Sequence, residues 1–180
     1  MLGYSNNYEI LDARDFGLPQ ARQRVFTVSI LDNEPFNFEL MERKPMRNIN
    51  DFLEDVVPEY YVVTQPSMLN RIAEGDSVFN GRVGVIKDYA MTITCKQMRC
   101  PNSGVVELED GDFRYLTERE CWRLQGYSDE DFEAALSVHP GRPNCLNGAL
   151  YKQAGNSIPV TIFESMFIAM MEQGIIEGKW

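Results

Sequence analysis

From Arg24 to Leu31 (RVFTVSIL) apolar and polar residues alternate before the run turns apolar, and Tyr8 to Ala13 is apolar and rich in β-leaning types. A period of two over segments this short predicts strands, so the first 31 residues read as a hairpin of long strands. Gly17 and Pro19 make Arg14 to Arg24, between them, a turn or loop. Further on, Asn50 is placed to cap a short helix through Asp55, Tyr60 to Thr64 is strand-like, and Ser67 caps a helix closed by Gly75. Residues 83–87 (VGVIK) and 90–94 (AMTIT) read as two more short strands. The middle of the chain, 40–115, is thus a small irregular α+β insert.

The pattern then becomes helical. Thr117 and Glu120 have the spacing of a capping box, with Leu116 and Cys121 where a hydrophobic staple closes it and Gly126 as the stop. Ser128 and Asp131 repeat the device, with Tyr127 set against Phe132. Pro159 opens a last helix whose Ile162, Phe163, Met166, Phe167 and Met170 form one apolar stripe before Gly174.

Composition narrows the class. The chain is 44% apolar and 24% charged, as in ordinary globular proteins, which excludes collagen-like, low-complexity and wholly disordered readings. Seventeen bases against 27 acids give a net charge of −10, which argues against nucleic-acid binding through bulk charge. The bases gather in two windows, however: Arg43, Lys44 and Arg47, then Arg82, Lys87, Lys96 and Arg99. The four cysteines form no C-x-x-C pair and His139 is the one histidine, so no zinc pattern is complete and no metal is expected. No secretory start and no apolar run near the ~18 residues of a membrane span is present, which predicts a cytoplasmic protein without membrane contact.

Three clusters carry candidate chemistry. The first is Gly3-Tyr4 followed by the run from Ala13 to Phe26 (ARDFGLPQARQRVF); the second is Arg114 to Tyr127 (RYLTERECWRLQGY); the third is Tyr151 to Pro159 (YKQAGNSIP). In this order they resemble motifs VIII, IX and X of the DNA cytosine-5 methyltransferases, and Thr92-Ile93 resembles the short dipeptide of that family's target recognition domain. The family's F-x-G-x-G cofactor loop, Pro-Cys nucleophile loop and Glu-Asn-Val element have no counterpart here and belong upstream of residue 1. The resemblance therefore implies the C-terminal part of such an enzyme, without its nucleophile. The fold it implies is α/β: residues 1–39 and 116–180 supply the C-terminal portion of a methyltransferase-type, Rossmann-like sheet domain, and 40–115 the inserted target recognition domain.

The family's chemistry explains the residue types. Its enzymes flip cytosine out of the duplex and add a thiolate to C6, and the resulting enamine attacks the methyl of S-adenosylmethionine. Negative charge that develops on the ring needs a fixed donor. By resemblance Arg24 binds O2 of the flipped base, while Arg22 holds the active-site loop or a phosphate and Gln20 stands beside them; alternation places both arginines on one side of the chain. Asn156, Ser157 and Ile158 are the candidates for a partial S-adenosylmethionine site, with Asn156 and Ser157 also forming a turn and an N-cap. Arg119, Glu120 and Arg123 read as scaffold, which Arg114 joins through an ion pair. Arg82, Lys87, Thr92, Lys96, Gln97 and Arg99 are the candidates for contacts to double-stranded DNA.

Two functions remain open. One is the target-recognition part of a DNA cytosine-5 methyltransferase of a restriction-modification system, working with a complementary N-terminal half. The other is a non-catalytic DNA-binding or interaction module. In either, the hairpin leaves a strand edge and an apolar face that invite self-association or pairing with that half.

Overall fold

The computed structural model describes residues 3–31, 34–73 and 83–177. Strand β1 (Tyr4–Asp12) ends in a single 3-10 turn, Ala13–Asp15, whose cap Asp12 accepts a hydrogen bond from the Arg14 amide at 3.1 Å. Gly17 then takes φ +84°, a left-handed backbone that glycine adopts without strain. After the short β2 (Gln20–Ala21), strand β3 (Gln23–Leu31) returns antiparallel along β1, in register from Asp12↔Gln23 to Tyr4↔Leu31. The expected hairpin is present, and β1 begins four residues earlier than its apolar run.

The insert is less regular than its pattern suggested. Asn48, not Asn50, is the cap: its side chain accepts from the Asn50 amide and the helix is one 3-10 turn, Ile49–Asp51. Residues 60–64 form a 3-10 turn, Glu59–Tyr61, and only then pair, with Val63 donating to the Phe113 carbonyl at 2.8 Å. Helix α1 (Pro66–Ala73) starts on Pro66, whose missing N–H is harmless at a first position, so Ser67 lies inside it. Gly75 lies outside the described residues. The two strands expected at 83–87 and 90–94 shrink to a Val85–Val105 bridge and to β4 (Ala90–Met91). Strand β4 pairs in parallel with β2, and its amides go to Pro19 and Ser103, so it docks on the residue 13–21 loop instead of forming a hairpin. A small antiparallel pair, β5 (Val106–Glu107) and β6 (Phe113–Arg114), closes the insert.

Both capping boxes form, on α2 (Glu118–Arg123) and α3 (Asp129–Val138). Tyr127 and Phe132 each pack on Trp122, with ring centroids 4.9 and 5.9 Å away. Helix α4 (Gly148–Asn156) was not expected. Its two glycines weaken it by propensity, but Asn147 caps it and Leu150, Tyr151 and Ala154 bury one side. Asn156 is therefore its last residue and Ser157 its C-cap, not an N-cap. Helix α5 (Val160–Glu172) turns Ile162, Ser165, Met166 and Ala169 inward and leaves Phe167 42% exposed. Ser165 fixes that rotation by donating to the Glu42 carbonyl at 2.9 Å.

Two apolar clusters result. The larger joins Leu11, Phe26, Phe36, Met41, Phe52, Ile93, Leu124, Tyr151 and Ile162. The smaller lies within the insert around Tyr61, Val63, Met68, Val105 and Tyr115. Segments 41–53 and 90–93 of the insert thus share the core of the flanking residues.

Candidate functional site

The polar residues of the first cluster are buried where β2 meets β4. Gln20 is fully buried. Its amide nitrogen donates to the Leu124 carbonyl at 2.8 Å, and its oxygen accepts from the Ile93 amide at 3.1 Å. Gln125, also fully buried, donates to the Ala154 carbonyl at 2.7 Å. Two side-chain amides therefore join the 13–24 loop, the end of α2, the insert and α4.

Arg22 completes the junction. It is 5% exposed and donates to three backbone carbonyls: Ile93 at 2.9 Å, Ser157 at 2.6 Å and Gly155 at 3.4 Å. Among the described residues no carboxylate meets its guanidinium and its Nε has no partner. Burial, with the charge of Arg24 nearby, pulls its pKa down to about 10. Hydrogen bonds to Asp12 and Asp129 shift the paired Arg14 and Arg123 the other way. Beside this cation the insert touches the 155–157 turn backbone to backbone: a Cβ on Gly155 would lie 2.1 Å from Cys95 N and 2.2 Å from the Thr94 carbonyl carbon.

Alternation from Gln20 onward puts residues 20, 22, 24, 26 and 28 on one face, and Arg24 stands opposite the buried Leu11. Gln20, Arg22, Phe26 and Val28 are buried. Arg24 alone in this row is exposed, its guanidinium donating to the Gln23 carbonyl at 2.6 Å. The structure thus keeps the two arginines on one face but separates their roles: Arg22 is spent on backbone carbonyls, and Arg24 is open.

Asn156 and Ile158 are exposed on the turn that Arg22 holds. The Asn156 side chain makes no hydrogen bond among the described residues, and the Ser157 hydroxyl lies 2.7 Å from that of Tyr127. In the insert, Lys87, Lys96 and Arg99 are exposed cations. Thr92 and Gln97, grouped with them by residue type, turn inward: Thr92 donates to the Ala21 carbonyl at 2.8 Å, and the buried Gln97 donates to Ser103. Arg82 lies outside the described residues.

The second cluster forms a charged frame around this junction. Arg114 and Glu120 are buried and paired twice, at 2.9 and 2.8 Å, while Glu120 also takes the Thr117 amide and the Glu54 amide. Arg119 reaches Glu54, Asp129 and Glu133, and Arg123 grips Asp129 with two bonds of 2.7 Å. Glu118 is buried between the Tyr61 hydroxyl and the Asn147 amide, and burial raises its pKa despite these donors. Among the described residues no group of three or more metal-binding side chains occurs, and no helix is long and apolar enough to cross a membrane.

Sequence reasoning missed Gln125, Gly155, Tyr61 and Glu118 as joining residues. A glycine within a recognised helix marks a packing or functional constraint, but the helix around Gly155 was not expected, so that mark could not be read. A buried amide or carboxylate has no such mark, since its type is that of any surface residue.

The family model for C-5 cytosine-specific DNA methylase matches residues 1–76 and 68–172. The type II methyltransferase M2.ScrFI of Lactococcus lactis subsp. cremoris is 39% identical over 175 residues, which cover 92% of this chain and 45% of that protein. M.DsaV of Dactylococcopsis salina is 29% identical over 180 residues, covering 94% and 48%. The methyltransferase EhMeth of Entamoeba histolytica superposes with a TM-score of 0.70 at 16% identity, over 97% of this chain and 55% of that one. The Dnmt2 methyltransferase of S. pombe gives 0.69 at 20% identity, over 98% and 58%. The chain spans about half the length of the curated relatives it matches, and its fold is that of part of an α/β methyltransferase.

Proposed function

The chain belongs to the C-5 cytosine-specific DNA methylase family, and from that premise we propose that it is the C-terminal, target-recognition part of a DNA cytosine-5 methyltransferase of the restriction-modification type. The observation that carries this reading is the row of alternating residues in which Gln20, Arg22, Phe26 and Val28 are buried and Arg24 is open. A single guanidinium on an inward face, held by rigid neighbours, suits a donor to a base turned out of the duplex. Thiolate addition at C6 places negative charge on the ring, and Arg24 stabilises it at O2.

Bound S-adenosylmethionine supplies an electrophilic methyl group on a sulfonium. The turn 156–158 fits one wall of its site: the Asn156 amide is free to bond a polar end, Ser157 supplies a hydroxyl, and the exposed Ile158 covers an apolar part. Lys87, Lys96 and Arg99 supply phosphate contacts to duplex DNA, with Arg82 joining them by sequence. The recognition domain is 40–115, anchored through segments 41–53 and 90–93.

The outward face of the hairpin, where Tyr8, Ile10 and Val25 are 71, 61 and 64% exposed, packs on the portion of the enzyme that the longer relatives possess. Self-association of the chain is the competing occupant of that face. The test is transfer of tritiated methyl from S-adenosylmethionine to duplex DNA by the enzyme that contains this chain. Incorporation at cytosine C5 is expected, and DNA binding without transfer overturns the reading in favour of a binding module.

A further inference from the structure

Three segments far apart in the chain converge on Arg22: its own loop, the insert at Ile93 and the turn at Gly155–Ser157. Gln20 ties the insert from the other side through the Ile93 amide, so both backbone groups of Ile93 are fastened to residues of one loop. Thr92 adds a bond to Ala21. The closest approach, at Gly155, leaves no space for a single methyl group between the two backbones. A contact so tight and so fully bonded is not a hinge.

Arg22 has no route to DNA. Among the described residues all hydrogen bonds of its guanidinium go to carbonyls and it is nearly fully buried, so a phosphate would have to displace the backbone. A buried cation without a counter-charge contributes poorly to stability, and an apolar side chain of similar size usually serves better. What the planar guanidinium adds is geometry, because it fixes several acceptors in one plane.

Directly after the fastened segment comes the loop that carries Lys96 and Arg99. Cys100 and Arg99 donate back to the Lys96 carbonyl at 2.8 and 2.9 Å, and Gln97 bonds Ser103 beneath. The loop is therefore carried rigidly from Ile93, and Ile93 is fastened two residues from Arg24.

We propose that Gln20, Arg22 and Gly155 form a clamp that holds segment 90–95 against the 13–24 loop and the 155–157 turn and so sets the distance between Arg24 and the DNA-facing Lys96–Arg99 loop. Arg22 is on this view a positioning residue for insertion of the target base. The proposal rests on the methyltransferase reading for its consequence, but the clamp itself has a separate readout.

Hydrogen exchange in this chain and three readouts in the whole enzyme test it. Amide hydrogen exchange at residues 91–95 of this chain should accelerate by about tenfold or more in Arg22→Lys, which keeps the charge and loses the fork. Unchanged exchange there overturns the clamp whatever the fate of methyl transfer, and absence of transfer by the unsubstituted enzyme overturns the methyltransferase reading alone. In the whole enzyme, Arg22→Met and Gly155→Ala should lower kcat by about 100-fold, as a displacement near 1 Å does, while duplex affinity changes less than about threefold. Emission from 2-aminopurine at the target position, which rises when the base is flipped, should fall in parallel with kcat. A loss of affinity equal to the loss of rate, with the salt slope reduced by about 1, would mark a phosphate contact instead. If circular dichroism shows that either variant fails to fold, Arg22→Lys decides by the same three readouts.

Discussion

Two faces meet along the chain from β2 into the β1–β3 ribbon: an inner row that is polar at its start and apolar at Phe26 and Val28, and an outer face that leaves apolar side chains in water. The inner row begins with an amide and a guanidinium, Gln20 and Arg22, both buried. The outer face carries Tyr4, Tyr8, Ile10, Val25 and Leu31, all more than half exposed. A buried polar group is tolerated when it is bonded, and apart from the Arg22 Nε the pair Gln20 and Arg22 meets that condition through backbone groups of three segments, at Leu124, at Ile93 and at Gly155–Ser157. An exposed apolar face of this size has no such compensation within the chain. The inner face is a finished joint between parts of this chain, and the outer face is a surface made for something else.

The joint should fail most at its charged frame. In Arg114→Met the Glu120 carboxylate, paired at 2.8 and 2.9 Å and fully buried, keeps its place without its partner. Breaking a buried pair in this way costs about 3–5 kcal/mol. For a chain of this size that corresponds to a fall in Tm of roughly 10 °C, readable by differential scanning calorimetry. A fall of about 2 °C or less would mean that water or the Thr117 and Glu54 amides carry the carboxylate alone.

Next in size is the one open position of the inner row. Among the described residues the Arg24 side chain makes only a local bond, to the Gln23 carbonyl, so Arg24→Ala should leave folding nearly unchanged. In the whole enzyme the same change should lower turnover by about 10²–10³, the usual effect of removing one donor to a developing negative charge. Duplex affinity should hardly move; equal losses in rate and affinity would make Arg24 a phosphate contact.

These two residues also show what sequence alone makes legible. The hairpin, both capping boxes and the last helix follow from periodicity and from caps that act locally, within four residues. The Arg114–Glu120 pair was accessible because its members flank one such cap. By contrast β4 gave up the strand ladder that AMTIT suggested, because its amides found Pro19 and Ser103 on the far side of the chain. Helix α4 was invisible for the same kind of reason: burial of Leu150, Tyr151 and Ala154 outweighs two glycines. The inward turn of Thr92 and Gln97 likewise depends on contacts that no local pattern encodes.

The outer face gives a smaller effect that depends on context. Replacing Tyr8 by Ser, Ile10 by Thr and Val25 by Thr together removes apolar area that this chain leaves in water. Each change should alter the stability of the chain by less than about 0.5 kcal/mol, while binding of a hydrophobic dye should drop sharply. In the whole enzyme the same triple variant should lose about 1.5–3 kcal/mol for each side chain the remaining portion buries. Sedimentation velocity separates the competing occupant: a chain that dimerises before substitution and is monomeric after it uses this face on itself. Equal stability losses in the chain and in the whole enzyme would mean that nothing docks there.

The smallest effect concerns a joint residue whose charged form is disfavoured by its surroundings. Glu118 accepts from the Tyr61 hydroxyl and the Asn147 amide, yet burial outweighs both donors, and the nearby Glu54 adds to the rise of its pKa above 4.5. Because the folded state binds this proton more tightly than the unfolded chain, its contribution is present below pH 4.5 and is lost as pH climbs through the raised pKa. Its ionised form is therefore less favourable in the folded chain than in the unfolded one. Glu118→Gln retains an acceptor for the Asn147 amide and offers an NH₂ to the Tyr61 oxygen. Its urea midpoint at about pH 7 should equal or slightly exceed that of the unsubstituted chain, and between about pH 5 and 7 it should fall less steeply. A midpoint lowered at every pH by the same amount would show instead that the ionised carboxylate, like the Arg114–Glu120 pair, is what holds α4 to the insert.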